Sequence, residues 1–221
     1  MVGRMRRQAG FTLIEIVITV AVIAALAGML IPAAMTTIAS ARVTACSSNL
    51  RQIGIAVHLY AGDHHNRLPA PRNWGDNDPA TSPAWFFRLP AFTGERDVKR
   101  ANSFFQCAGF RWRGAVHFTN ASPKSFKMNG KLDQAGRPRH YRLGGFTSDQ
   151  DLVLFVDSVA SEGGMGQWGH SLPQAVDDSR HRGRVNVLAL DGHTQRVVRK
   201  PGSEGWSSVL RWLPEEIAAN E

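Results

Sequence analysis

The chain has 221 residues, room for one ordinary domain and an appendage but not for two large domains. Hydrophobic residues make up 43% and charged residues 20%, which excludes an intrinsically disordered chain and a collagen-like one. Lys and Arg (26) exceed Asp and Glu (18), and this formal charge of +8 fits an acidic partner, an anionic membrane or neither. Two cysteines, Cys46 and Cys107, are too few for a disulfide scaffold and lack the paired spacing of a structural zinc site.

The first element is the most informative. Ile16 to Met35 is a run of twenty uncharged residues with Thr19 as its only polar side chain. A helix of that length crosses a hydrocarbon core about 30 Å thick. Ahead of it, Arg4, Arg6 and Arg7 stand in a leader with no acidic residue, a cluster that stays cytoplasmic while the following chain is exported. An ordinary secretory signal places its small residues after the apolar run. Here Gly10 stands before it, in Gly10-Phe11-Thr12-Leu13-Ile14-Glu15, so a cut after Gly10 removes the basic leader and leaves the apolar helix as the new N-terminus. Glu15 is the only charge between Arg7 and Arg42. A carboxylate within a bilayer helix costs roughly 2.5 kcal/mol or more unless it finds a partner or reaches interfacial water.

These residues, together with Pro32 inside the apolar helix, resemble the N-terminus of the type IV prepilin and pseudopilin family. The resemblance implies a prepilin peptidase that cleaves after Gly10 and methylates the amine of Phe11. It also implies that Glu15 meets the Phe11 amine of a neighbouring subunit, so that lateral assembly relieves the buried charge.

Beyond the span, Ala39, Val43, Cys46, Leu50, Ile53, Val57 and Tyr60 recur at steps of four and three, one apolar stripe along a helix. Arg42, Thr44, Ser47, Ser48, Asn49, Arg51 and Gln52 fill a polar face, and Gly62-Asp63 ends the periodicity. The expected organisation is a cleaved leader (1–10), a transmembrane and assembly helix (11–38), its amphipathic continuation (39–62) and an α+β head with a small antiparallel sheet (63–221). Gly28, Pro32 and Gly54 are expected bends in the long helix. In the head, five prolines between Asn66 and Thr93 predict a long loop with a helical turn near Trp85-Phe86-Phe87. Asp151–Asp157 reads as a strand. Arg184–Leu190 and His193–Arg199 flank Asp191-Gly192, a two-residue hairpin signal, and Asn129-Gly130 predicts a further turn.

Cys46 to Tyr60 and the spacing His181, nine residues, Asp191-Gly192 resemble a pseudopilin-like group related to the major pseudopilin of type II secretion. Phe105-Gln106-Cys107 and Lys127-Met128-Asn129-Gly130 resemble segments of the same group, with Ala108 where that group often has proline.

Several side chains invite a chemical reading. His181, Asp191, His193 and Asp157 form a candidate metal set if the hairpin pairs with the central strand, although Asp191-Gly192 is also what a tight turn requires. Asp157, Asp177 and Asp178 offer oxygens for calcium, which related pseudopilins can bind, but no twelve-residue calcium loop is present. Otherwise no cofactor is expected. Asp63, His64 and His65 read as a solvated loop. Cys46 and Cys107 either bridge helix to head or remain two buried thiols, and the sequence leaves both open. Trp74, Trp85, Trp112, Trp168, Trp206 and Trp212 read as core or rim. Arg111, Arg113, Arg137, Arg139, Arg142, Arg180, Arg182 and Arg184 are spread along the chain, so nucleic acid is not an expected partner.

The resulting expectation is a non-enzymatic pseudopilin, a structural subunit of a type II secretion or type IV pilus-like fibre. It sits in a bacterial inner membrane with its head periplasmic and, after assembly, in a periplasmic or surface fibre. Expected partners are other pilin subunits, the prepilin peptidase, an inner-membrane assembly platform and membrane lipid. The alternatives are a minor pilin or tethered receptor whose head binds DNA, polysaccharide or a secreted substrate, and a metal-dependent hydrolase built on His181, Asp157 and Asp191.

Overall fold

A computed structural model describes residues 11–73, 75–76, 78, 80–94, 104–110, 125–132, 143, 151–159, 170–199, 201–203 and 205–213. These fall into two compact units, one ending at Ala41 and one beginning at Arg42.

The first unit is the apolar part of helix α1, which as a whole spans Leu13–Asp63, 51 residues. Helical geometry runs unbroken through Gly28, Pro32 and Gly54. Among the described residues of the first unit nothing covers its apolar side chains: Ile14, Ile16, Val17, Ile18, Ile23, Leu26, Leu30 and Met35 are all exposed, on every side of the helix. A helix that is apolar all round is one that lipid or other helices surround, and this one is long and apolar enough to cross a membrane.

The second unit contains the rest of α1 and an α+β fold. Cys46, Leu50, Ile53, Val57 and Tyr60 of the apolar stripe are buried, joined by Ala56 and Ala61, whereas Ala39 and Val43 are half-exposed. The polar face is not wholly solvated. Ser47 and Asn49 flank the stripe and are half-buried, with Ser47 Oγ donating to Asn186 Oδ1 (3.2 Å) and Asn49 Nδ2 to the Gln106 carbonyl (3.0 Å). The helix ends through His65 and Asn66, both left-handed (φ 56° and 60°), with the Asn66 amide returning to the Ala61 carbonyl at 2.7 Å. Gly62 remains helical, so Asn66 takes the terminating role expected of the glycine.

The proline-rich segment carries the anticipated helical turn, α2 (Trp85–Arg88), followed by a 3₁₀ turn over Leu89–Phe92. Among the described residues five strands follow: β1 (Phe126–Asn129), β2 (Val153–Asp157), β3 (His170–Ser171), β4 (Arg184–Ala189) and β5 (Thr194–Val198). They form one sheet in the order β3-β1-β2-β4-β5. Four strands are antiparallel neighbours, and the two-residue β3 adds a parallel edge that the sequence does not signal. Four residues, Leu190 to His193, connect β4 to β5, and the loop closed by the Ala189–His193 pair has three residues, not two. Gly192 donates to the Ala189 carbonyl (3.0 Å), Ala189 donates to the His193 carbonyl (2.9 Å), and Gly192 sits at φ 92°, a turn closed by a left-handed residue.

Both sheet faces are covered. On one lie α1, Trp85, Leu89 and Phe105, packed on Phe126, Met128, Phe155 and Leu188. On the other lie Trp206, Leu210 and Trp212, packed on Val153, Val156, Val185 and Val187. Val153 and Val156 share a face because the β2–β4 register shifts between Val153 and Phe155. Beyond it the alternation is regular, and Phe155 and Asp157 both face the α1 side.

Candidate functional site

At its first turn α1 is closed by its own residues. Thr12 precedes the helix, and its amide and hydroxyl both donate to Glu15 Oε2 (2.8 and 2.7 Å), while the Glu15 amide points to Thr12 Oγ1 at 3.4 Å. This is a reciprocal capping box. The Thr-x-x-Glu spacing is visible in the sequence, inside the same segment that signals processing and assembly. One oxygen of Glu15 closes the helix, and Oε1 has no partner among the described residues. Phe11 is exposed, whereas Gly10 and the rest of the leader lie outside the described residues.

The second cluster is buried beneath α1. Asp157 at the end of β2 is fully buried, and its Oδ2 accepts from the Asn186 amide (2.9 Å) and side chain (2.8 Å) on β4. His181 precedes β4, with Nε2 at 3.4 Å from Asp157 Oδ2 and 3.2 Å from Cys107 Sγ. Cys107 is bonded to Cys46 of α1. Arg180 lies 3.6 Å from Asp157 Oδ1 and 3.0 Å from Asp177 Oδ2, donates to the Ser158 carbonyl at 2.7 Å and stacks over Phe110. One polar chain thus runs from Ser47 on the helix through Asn186, Asp157 and His181 back to the Cys46–Cys107 bridge. Breaking a buried pair of this kind leaves an uncompensated charge, typically a loss of about 3–5 kcal/mol. On the opposite face, Lys127 donates to the Val159 carbonyl at 3.0 Å, and burial together with the nearby Arg180 charge lowers its pKa to about 8.

The His181-to-Gly192 signature holds the helix at two places. His181 lies against the bridge at one end of β4. At the other end, a Cβ on Gly192 would meet His58 Cε1 of α1 at 3.1 Å, so only glycine combines that proximity with a φ of 92°. Gly54 of α1 lies as close to the sheet, where a Cβ would meet Leu188 Cδ1 at 3.0 Å.

The four-residue metal set suggested by the sequence divides into two. His181 and Asp157 come together, but Asp191 and His193 lie beyond the far end of β4, bonded to each other (2.6 Å) with Asp151 at 3.9 Å from His193. The six residues of β4 separate the pairs. Asp177 accepts from the Ser179 amide and hydroxyl, and Asp178 faces Arg199 at 4.0 Å. Among the described residues, only Cys46, Cys107 and His181 converge as a group of three ligand atoms. His64 folds back onto α1, hydrogen-bonded to the Tyr60 carbonyl and stacked on its ring. Trp85, Trp206 and Trp212 are buried; Trp74, Trp112 and Trp168, and the arginines at 111, 113, 137, 139 and 142, lie outside the described residues. Nor do Cys107, His181 and Asp157 form a catalytic relay. A relay needs the carboxylate on one imidazole nitrogen and the nucleophile on the other, whereas here Nε2 faces both.

Two family profiles match the chain. Residues 5–31 match the prokaryotic N-terminal methylation motif. The chain is pilin-like. Residues 39–113 of this pilin-like protein match a family described as a protein of unknown function (DUF1559), and the two matches together are those of pseudopilin-like proteins. No curated protein and no solved structure matches it. The motif points to a structural protein that assembles with other pilin subunits and meets a prepilin peptidase, and with the apolar helix it suggests a membrane anchor.

Proposed function

We propose that the protein is a pseudopilin-type structural subunit, cut between Gly10 and Phe11 and methylated on the Phe11 amine. The apolar half of α1 holds it in the inner membrane and then in the core of a helical fibre. The residues from Arg42 onward occupy the periplasm and give the fibre its outer surface. One observation carries this reading: a methylation motif at 5–31 leads directly into a helix whose apolar side chains are exposed all round. Within the motif the unpartnered Oε1 of Glu15 is the acceptor for a neighbour's terminal amine.

An open cleft of about 460 Å³, lined by residues including Trp206, Arg199, Lys131, Asp178 and Gln174, is where a minor or receptor subunit would hold a ligand. Fibre stoichiometry separates these roles, since a major subunit dominates purified fibres and a receptor is scarce in them.

The test is the mature N-terminus, read by mass spectrometry of membrane-extracted protein made with and without a prepilin peptidase. A peptide starting at methylated Phe11 only when the peptidase is present is the expected result. An intact Met1 leader beside an active peptidase overturns the proposal.

A further inference from the structure

The sulfur atoms of Cys46 and Cys107 and a ring nitrogen of His181 lie within 4.8 Å of one another, and all three residues are buried. His181 Nε2 looks towards both Cys107 Sγ and Asp157 Oδ2. The other oxygen of that carboxylate, Oδ1, is buried and accepts no hydrogen bond among the described residues. Two backbone amides already point at the sulfurs, Ala108 N–H at Cys46 Sγ (3.1 Å) and Gly109 N–H at Cys107 Sγ (3.4 Å). Two sulfurs, an imidazole nitrogen and a neighbouring carboxylate are the donors of a tetrahedral Zn²⁺ site, and amides donating to the sulfurs are its usual outer support. While the bridge is intact the sulfurs carry no charge and the site is closed.

We propose that reduction of the Cys46–Cys107 bridge opens a buried site for a zinc-like divalent ion, ligated by Cys46, Cys107 and His181 with Asp157 beside them as the fourth donor. A dithiol supplies the two electrons and two protons that convert the bridge into two thiols, and is itself oxidised to a disulfide. The ion then displaces both thiol protons. Charge balance favours the exchange. Two thiolates neutralise the ion, and the Asp157 carboxylate is already balanced by Arg180 at 3.6 Å, so no net charge is added to a buried volume. Bridge and ion are thus alternative staples joining α1 to the same turn.

The test uses the full chain in detergent, oxidised or reduced with a dithiol and desalted without air, and titrated with Co²⁺ and then Zn²⁺. The expected result is one Co²⁺ per reduced chain, a thiolate-to-cobalt charge-transfer band that Zn²⁺ abolishes, and no band in the oxidised chain. His181→Gln should weaken reduced-state affinity by about tenfold or more while leaving the near-UV circular dichroism of the oxidised chain unchanged. Asp157→Asn should weaken it while keeping the sulfur band. The proposal is overturned by absence of the band in a reduced chain that keeps its near-UV spectrum, by equal binding to the oxidised chain, or by unchanged affinity in His181→Gln. It is also overturned if metal binds only after the reduced chain has lost that spectrum.

Discussion

Replacing both cysteines, Cys46→Ala with Cys107→Ala, isolates what the bridge does for the head. The bridge joins α1 to a turn 61 residues later in the sequence. Its main effect is on the unfolded chain, which without it is free to open that loop. The loop-closure relation gives about 4 kcal/mol at 25 °C for a loop of this size. The folded state loses less, because alanine keeps the helix at position 46 and the Ala108 amide gives up only a weak sulfur acceptor. The assay is guanidinium unfolding of the detergent-solubilised chain, followed by tryptophan fluorescence, with buried Trp85, Trp206 and Trp212 among the reporters. The expected result is a loss of about 4 kcal/mol with a slightly steeper denaturant dependence, since the unfolded state now exposes more surface. A loss under about 1 kcal/mol would refute the entropic reasoning.

Three further outcomes follow from particular contacts. Gly192→Ala forces a side chain to φ 92° and against His58, at a cost of about 1–3 kcal/mol in thermal or chemical unfolding; adding His58→Ala should restore the steric part and not the backbone part. Thr12→Ala removes half of the capping box, about 1 kcal/mol at the start of α1, and should speed amide exchange around Leu13–Ile16 without touching the head. Lys127 has its folded pKa lowered to about 8 from 10.5, so between those values the unfolded chain holds more protons. Head stability should therefore rise with pH across that window, and Lys127→Met should remove the contribution of this group to the slope measured by denaturant titration at several pH values.

What the sequence made legible was local or periodic. The basic leader, Gly10, the uncharged run and the stripe from Cys46 to Tyr60 each announce themselves within one or two helical turns. So do the Trp85 turn and the Asp191-Gly192 connection, although the hairpin's third loop residue depends on a backbone angle that Gly192 permits without dictating. Composition places Ser47 and Asn49 on a solvated face, because it cannot show that Asn186 and the Gln106 carbonyl lie opposite them. Asp157 is the clearest case. It ends an apolar strand, and its partners Asn186, Arg180 and His181 are more than twenty residues away, united only by the pairing of β2 with β4. Whether Cys46 and Cys107 meet was undecidable from spacing for the same reason, since their separation is set by how α1 lies on the sheet.

The two borders of the sheet have a further consequence. On one side β3 offers only two residues of backbone. On the other, β5 is largely exposed and carries Arg196 at its middle, with Arg199 just past its end. Short or cationic borders resist strand addition from a like border on another molecule. In the proposed fibre, subunits brought to very high local concentration by their N-terminal helices would therefore crowd side by side without zipping their backbones into one continuous ribbon.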